Sequence, residues 1–336
     1  MSLSSILTSA AFAPIQNVGW IRVTGSDRVR WLNGMATNNI QALKPGEGNY
    51  NFFLSAQGRI QGDATAWMLE DSILLETAAD RVPALMAMLD HFIIMDDVEL
   101  ADTTPQRVGL VLFGAEIAPI VDKFVFDHGS DLPGLQFRNF AWARDEVTGL
   151  GHSDHFLHAY SPQLPHFEVW FEGLGDAQTL SRELADVGVP EATPEDLEQL
   201  RILEGTPLYG IDIRNTDAAK DLPQETAQTR ALHFSKGCYL GQEIVERIRS
   251  RGNVHRTFAG FVLNGELPAP GAVLSDETKA VGELTSVTRI ELPTGPLQIA
   301  LGYIRRETLD RGATITYPGG TATPSALPFQ LPESRA

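Results

Sequence analysis

The last third of the sequence places the strongest limit on the fold. From Thr257 onward, short apolar runs alternate with glycine and proline turns, and strands are predicted at 260–263, 281–289, 297–304 and 314–317. Short strands separated by turns are typical of small β-barrels. We therefore expect a C-terminal β-barrel over residues 253–330. The Pro-, Ser- and Ala-rich composition from Thr321 favours fraying there, with a frayed tail at 331–336.

Residues 1–252 have a different pattern, in which predicted strands and helices follow one another. A strand is predicted at 18–24 and a helix at 28–35. Another helix is predicted at 194–204, because Thr193 can cap it and Pro194 suits its first turn. The mixture predicts an α+β fold ahead of the barrel.

Charge and cysteine content exclude several classes of protein. The net charge of −17 argues against direct nucleic-acid binding and against docking on an anionic membrane. No apolar run reaches the roughly 18 residues of a membrane span, and the N-terminus lacks the basic start of a signal peptide. The single cysteine, Cys238, cannot form an internal disulfide. These features predict a cytoplasmic protein.

Cys238 lies in the most unusual segment, Ser-Lys-Gly-Cys-Tyr-Leu-Gly-Gln-Glu at 235–243. A neighbouring cation such as Lys236 favours the thiolate and raises its reactivity. If Tyr239 opened a helix, the positive end of that helix would act in the same direction. The alternative is that Cys238 is a small buried apolar residue, as free cysteines often are.

Basic residues cluster around this segment. Between 228 and 256, the acidic residues are Glu243 and Glu246, and the basic ones are Arg230, Lys236, Arg247, Arg249, Arg251 and Arg256. Such a patch suits a carboxylate-bearing ligand, such as a folate with its glutamate tail, or an acidic partner surface. The alternative is a solvated helix face with internal pairs such as Glu243 with Arg247.

A second cluster precedes the first. It contains Arg201, Glu204, Gly205, Pro207, Tyr209, Gly210 and Asp212. Arg201 and Glu204 are three residues apart near a helix end, so they can pair on one face. The same spacing is compatible with a purely structural role.

The two clusters together resemble the YgfZ family, a branch of the glycine-cleavage T-protein superfamily. The family signature Lys-Gly-Cys-Tyr-x-Gly-Gln-Glu matches 236–243, with Leu240 at the free position. The stretch around Arg201 and Asp212 is similar to one shared across the superfamily. Further likenesses cover Thr24-Gly25-Ser26-Asp27, Thr37-Asn38 and the predicted barrel strands.

The resemblance implies a three-lobed ring of two interleaved α+β domains over 1–252, with inner boundaries near 104 and 192, followed by the barrel. It implies that the cofactor is tetrahydrofolate or a derivative. It also implies a role in iron–sulfur cluster assembly or repair, an indirect link to tRNA modification, and partners that carry or assemble clusters. Cys238 and Lys236 are the implied reactive residues, and the implied folate contacts are Arg201, Glu204, Tyr209, Tyr239, Gln242, Glu243, Arg247 and Asp63.

One departure from the superfamily concerns catalysis. The T-protein has two adjacent aspartates where this chain has Gly62 and Asp63, and the first serves the aminomethyl chemistry. General acid–base help is typically worth about 10² to 10⁴-fold. We therefore expect no efficient aminomethyltransferase. Two alternatives stay open: a folate-dependent aminomethyltransferase or demethylase, and a non-catalytic scaffold with a vestigial folate pocket.

Four histidines with an aspartate form the remaining candidate cluster: His152, Asp154, His155, His158 and His166. Clustered histidines can bind metal. However, the segment is predicted to run from loop into strand, where this spacing puts the rings on different faces. We therefore expect no metal site.

Overall fold

The computed structural model describes residues 3–124, 129–140, 154–216, 219–252, 254–276 and 279–331. The chain divides into two compact units. The first comprises Ser5–Asn51 and Gly62–Thr193, and the second comprises Phe52–Gln61 and the chain from Pro194. A short segment near the N-terminus thus belongs to the C-terminal unit. The lobe boundaries expected near 104 and 192 stay predictions.

Among the described residues up to Thr193, the elements form two five-stranded sheets with flanking helices. In chain order they are α1 (Leu3–Ile6), β1 (Ala11–Pro14), β2 (Val18–Thr24), α2 (Arg28–Met35), β3 (Gly48–Leu54), β4 (Ile60–Met68), β5 (Ile73–Ala78), α3 (Val82–Asp90), β6 (Glu99–Asp102), β7 (Val108–Phe113), α4 (Ala118–Phe124), β8 (Gln136–Phe140), β9 (Asp154–His158), β10 (His166–Phe171) and α5 (Leu174–Asp186). One sheet has the strand order β1-β7-β10-β9-β8, and the other has the order β3-β4-β5-β2-β6.

The first sheet buries one face against helices α4 and α5. On β10, Phe167, Val169 and Phe171 alternate along the strand and belong to this core. On α5, Leu180 and Leu184 are four residues apart, so they share the helix face that meets the sheet. The spacing of apolar residues, two in the strand and about four in the helix, therefore determines which face of each element is buried.

Aromatic side chains from both sheets form a second core in the first unit. Trp20 of β2 and Trp170 of β10 meet edge to face, with ring centroids 4.9 Å apart. Trp67 of β4 meets Phe137 of β8 in the same way, at 6.1 Å. All four rings are at most 7% exposed, which joins the two sheets through one apolar cluster.

Among its described residues, the chain from Pro194 contains three α-helices and a closed barrel. Its elements are α6 (Pro194–Glu204), α7 (Gln242–Arg251), β11 (Arg256–Gly265), β12 (Val273–Asp276), β13 (Lys279–Leu292), β14 (Gly295–Arg305), α8 (Arg306–Arg311), β15 (Ile315–Tyr317) and β16 (Gly320–Ser325). The barrel closes in the order β11-β14-β13-β12-β15-β16. Phe261, Leu274 and Ile304 are fully buried inside it. The predicted α+β fold with a C-terminal barrel is confirmed.

The expected fraying from Thr321 is wrong. Strand β16 occupies Gly320–Ser325 and pairs with both β11 and β15. Ala322 is buried in the barrel core, and farther on Phe329 is 2% exposed. Local composition gave the wrong prediction because β16 is held by its pairing with β11, some 60 residues earlier in the chain. Residues 332–336 of the predicted frayed tail lie outside the described residues.

In the part of the chain that the structure describes, no helix combines the length and the apolar character needed to cross a bilayer.

Candidate functional site

The 236–243 motif spans the end of an irregular loop and the start of α7. We call residues 233–241 the cysteine loop. It ends at Gly241, which has a left-handed φ of 81°. A Cβ at this position would lie 2.6 Å from the carbonyl oxygen of Ser55 and 2.9 Å from the Cβ of Leu54. Glycine is therefore required both by the backbone angle and by the close approach of the β3–β4 turn.

Helix α7 begins at Gln242, so Tyr239 does not open it and the condition considered in the sequence analysis is not met. The left-handed Gly241 cannot continue a right-handed helix, so it separates Tyr239 from the first turn. The amide oxygen of Gln242 instead accepts a hydrogen bond from the backbone N–H of Tyr239, at 3.3 Å. Cys238 thus lies four residues before the helix, and the helix dipole acts mainly within the first turn.

Lys236 and Tyr239 form the buried side of the cysteine loop. Lys236 is 8% exposed, and its Nζ lies 5.0 Å from the centroid of the Tyr239 ring. Burial lowers the pKa of Lys236 to about 7 and raises the pKa of Tyr239 to about 12. Lys236 therefore gains and loses its charge near neutral pH, and it favours the Cys238 thiolate as a cation only while it is protonated.

Cys238, between these two buried residues, is exposed. The alternative interpretation of Cys238 as a small buried apolar residue is therefore wrong. An exposed thiol can reach the surface of another protein. It can also react with a small molecule.

Arg247 and Arg249 of α7 are both exposed, and Arg249 also pairs locally. Glu243 is exposed as well. The ion pair described on this helix joins Arg249 Nη1 and Glu246 Oε2, at 3.6 Å. The guanidinium of Arg249 also stacks on Phe234 of the cysteine loop, 4.2 Å from the ring centroid.

The second cluster centres on a fully buried carboxylate, Asp212. Arg201 of α6 donates from Nη1 to Asp212 Oδ2, at 2.7 Å, and from Nη2 to Glu198 Oε1, at 2.6 Å. Nη2 also lies 2.8 Å from Ser286 Oγ on β13. This network ties α6 to the barrel, so the guanidinium of Arg201 is engaged by protein groups. Its role as a folate contact stays a prediction.

Two further predicted contacts are buried in the same unit. Glu204 is 7% exposed at the end of α6. The hydroxyl of Tyr209 donates to the carbonyl oxygen of Gln61, at 2.7 Å. Tyr209 therefore anchors the segment that follows α6 to the end of Phe52–Gln61.

A second ionic network in this unit was missed by the sequence analysis. Arg256 donates to both Asp221 and Glu225, and it stacks on Tyr303, 4.7 Å from the ring centroid. A cavity of about 710 Å³ borders this network, and its lining includes Glu225, Arg256, Arg305 and Arg306. None of the predicted site residues is among its lining residues.

In the first unit, Gly62 and Asp63 lie side by side on β4. The hydroxyl of Tyr50 donates to Asp63 Oδ2, at 2.5 Å. A Cβ at position 62 would lie 3.2 Å from Cδ1 of Leu85. A side chain at position 62 therefore requires Leu85 to move by a few tenths of an ångström.

Two carboxylates in the first unit were also missed. Glu76 Oε2 accepts a hydrogen bond from the indole of Trp67 at 2.7 Å, and Glu168 Oε2 accepts one from Trp170 at 2.8 Å. Burial, together with the charge of Glu168, raises the pKa of Glu76 well above its usual range. For Glu168 the signal in the sequence is its place two residues before Trp170 on one strand, which puts both side chains on one face. Glu76 and Trp67 lie on different strands, nine residues apart, and carry no such local signal.

The described histidines of the candidate cluster each contact a different protein group. His158 Nδ1 is 2.5 Å from the carbonyl oxygen of Leu132, and His166 Nε2 is 3.6 Å from Glu168 Oε1. His155 is 6% exposed and packs against Phe137. His152 lies outside the described residues. Among those described, no group of three potential ligands could hold a metal ion.

Comparisons with known proteins agree with this architecture. A putative transferase of Arabidopsis thaliana, named as chloroplastic, is 26% identical over 308 residues, which cover 90% of this chain and 67% of that protein. An aminomethyltransferase of Rubrobacter xylanophilus is 26% identical over 307 residues, covering 90% and 78%. A mitochondrial homolog of the iron–sulfur cluster assembly factor IBA57, from Neurospora crassa, is 26% identical over 307 residues, covering 88% and 61%.

Among solved structures, the glycine cleavage system aminomethyltransferase T of Bartonella henselae has a TM-score of 0.82 and 22% identity. The match covers 98% of this chain and 88% of that one. It shows the fold, and the resemblance to the T-protein superfamily is confirmed. The narrower YgfZ assignment stays a prediction. Because the model of the GCVT N-terminal domain matches residues 3–226, the chain belongs to the GCVT N-terminal domain family.

Proposed function

We propose that this chain is a YgfZ-type protein that binds tetrahydrofolate or a derivative and supports the assembly or repair of iron–sulfur clusters in partner proteins. The observation that carries the proposal is the exposed thiol of Cys238, held on a loop whose neighbours Lys236 and Tyr239 are buried. A relative named as an iron–sulfur cluster assembly factor supports it. The link to tRNA modification would be indirect, through cluster enzymes.

The cluster would be cargo shared with a partner. Clusters usually take about four thiolate ligands, whereas this chain has one cysteine. Cys238 would therefore supply one exchangeable ligand, and the partner would supply the others. A single cysteine also suits a reducing compartment such as the cytoplasm.

The residues around the cysteine loop fit a folate. The hydroxyl of Tyr239 is buried and, among the described residues, has no hydrogen-bond partner. It therefore leaves a buried polar group for a ligand to satisfy. Arg247 is exposed and suits the carboxylates of a glutamate tail. Tetrahydrofolate, when bound, would supply a carrier for one-carbon groups.

The second candidate function is aminomethyl transfer, which the relative from Rubrobacter performs by name. Gly62 argues against it, because it offers no group for proton transfer, and the neighbouring carboxylate of Asp63 already accepts a hydrogen bond from Tyr50. We expect activity at least about 10²-fold below that of a true aminomethyltransferase. A turnover assay with an aminomethylated lipoyl carrier tests this, and turnover at an ordinary rate would refute the proposal.

Calorimetric titration with tetrahydrofolate tests the binding site. We expect saturable micromolar binding that weakens in Tyr239→Phe, which removes only the hydroxyl, and in Lys236→Met. Lys279→Met is the matched control, because Lys279 is 62% exposed on the barrel. Absence of binding by the unmodified protein would favour the scaffold with a vestigial folate pocket.

Rescue of a deletion strain tests the thiol. We expect the unmodified gene to restore the activity of cluster enzymes, and Cys238→Ser to fail although the variant folds and binds tetrahydrofolate. Full restoration by Cys238→Ser would show that the thiol has no role.

A further inference from the structure

The cysteine loop lies alongside α7. At one end, Phe234 stacks under Arg249, near the end of the helix. At the other end, the N–H of Tyr239 bonds to Gln242, the first helical residue. The loop therefore runs back along the helix over about 10 Å, given a rise of about 1.5 Å per residue. Cys238, which is exposed, lies at the Gln242 end of this stretch.

Helix α7 presents exposed arginines on a strongly acidic chain. Arg247 is exposed, and the side chain of Arg249 is 53% exposed. Between residues 228 and 250, Arg230, Arg247 and Arg249 stand against Glu243 and Glu246, whereas the whole chain has a net charge of −17. Arg247 and Arg249 follow Gln242 by about 8 and about 10 Å along the helix axis, at about 1.5 Å per residue. These lengths are comparable with the Debye length, which is about 10 Å at ordinary ionic strength.

We propose that the exposed arginine face of α7 is a docking surface for an acidic protein that presents a sulfur atom to Cys238. The proposal rests on the thiol role given above. An acidic partner is repelled by most of this chain and attracted here, so the field orients it toward the thiol. A nucleic acid is a poorer occupant, because binding it requires neutralising phosphates along an extended path.

Thiol–disulfide exchange with two charged peptides tests this surface. Each peptide carries a thiopyridyl-activated cysteine, flanked by two glutamates on each side in one and by two lysines on each side in the other. The sulfur of Cys238 attacks the peptide sulfur and forms the new disulfide. The old disulfide breaks, and thiopyridone leaves with the electron pair and takes up a proton, while the thiol proton goes to solvent. Since Cys238 is the single cysteine, the released thiopyridone reports its reaction alone.

At low salt we expect the acidic peptide to react about tenfold faster than the basic one. The preference should disappear near 1 M salt, where the Debye length falls to about 3 Å. Equal rates, or faster reaction of the basic peptide, would overturn the proposal. Exchange is measured without folate, so any contact of Arg247 with folate does not enter.

Single substitutions locate the effect. Arg247→Gln should lower the preference several-fold, and Glu243→Gln should raise it. Arg305→Gln removes the same charge from the barrel, where the side chain of Arg305 is 49% exposed, and should leave the preference unchanged. An equal loss in Arg305→Gln would assign the effect to total charge and overturn the proposal. Folate binding and strain rescue are measured separately, so failure here leaves the proposed function standing.

Discussion

Replacing Lys236 should change how stability depends on pH. Its pKa is about 7 in the folded protein and about 10.4 in an unfolded chain. Between these values the unfolded state binds more protons, so the free energy of unfolding rises with pH. The slope approaches about 1.4 kcal/mol per pH unit, and the gain between pH 7.5 and 9.5 is about 2.5 kcal/mol. This gain should be absent in Lys236→Met.

Urea unfolding at several pH values measures the effect. Subtracting the Lys236→Met profile from that of the unmodified protein cancels the other titrating groups, including Tyr239, whose pKa is about 12. Lys279→Met, at an exposed position, should keep the full gain. If the unmodified protein and Lys236→Met give parallel profiles, Lys236 stays charged in the folded protein and the argument from burial fails.

Three further predictions concern stability and are measured by urea unfolding. Asp212→Ala should cost about 3 to 5 kcal/mol, because it leaves Arg201 short of its buried partner. The double variant Arg201→Met/Asp212→Ala should cost less than the sum of its two single substitutions, and strict additivity would contradict the pairing. Glu76→Gln should stabilise the protein at neutral pH. Because the pKa of Glu76 is raised in the folded protein, the unmodified protein loses stability as pH rises above the usual carboxyl pKa of about 4.3. A variant less stable than the unmodified protein at neutral pH would contradict this reasoning. Gly241→Ala should lower the free energy of unfolding by more than about 1 kcal/mol, because of the left-handed φ and the contact with Ser55. At Gly237 a Cβ has no neighbour within 4 Å, so Gly237→Ala should lower it by under about 0.5 kcal/mol.

Local signals predicted several elements well. The strand at Val18–Thr24 and the helices at Arg28–Met35 and Pro194–Glu204 have the predicted bounds. Turns, a proline in the first helical turn and apolar spacing are encoded within a few residues of these segments. The alternation of short apolar runs with glycine and proline turns from Thr257 likewise predicted the barrel.

What the sequence did not predict depends on partners distant in the chain. Strand β16 is held by β11, and nothing near Gly320–Ser325 indicates that pairing. Glu76 looks like a solvent-facing strand residue until the other sheet brings Glu168 near it. The start of α7 was not predicted, because the backbone angle of Gly241 is set by its contact with Ser55, nearly 190 residues earlier.

The discontinuity of the second unit has a consequence for synthesis on the ribosome. The segment Phe52–Gln61 is made early, yet its contacts with Gly241 and Tyr209 wait until much later residues have emerged. A gene fragment that begins at Pro194 would encode the whole barrel but not the turn on which Gly241 rests. Such a fragment should leave the cysteine loop without its support, so this half of the molecule is not encoded by one continuous stretch of the gene.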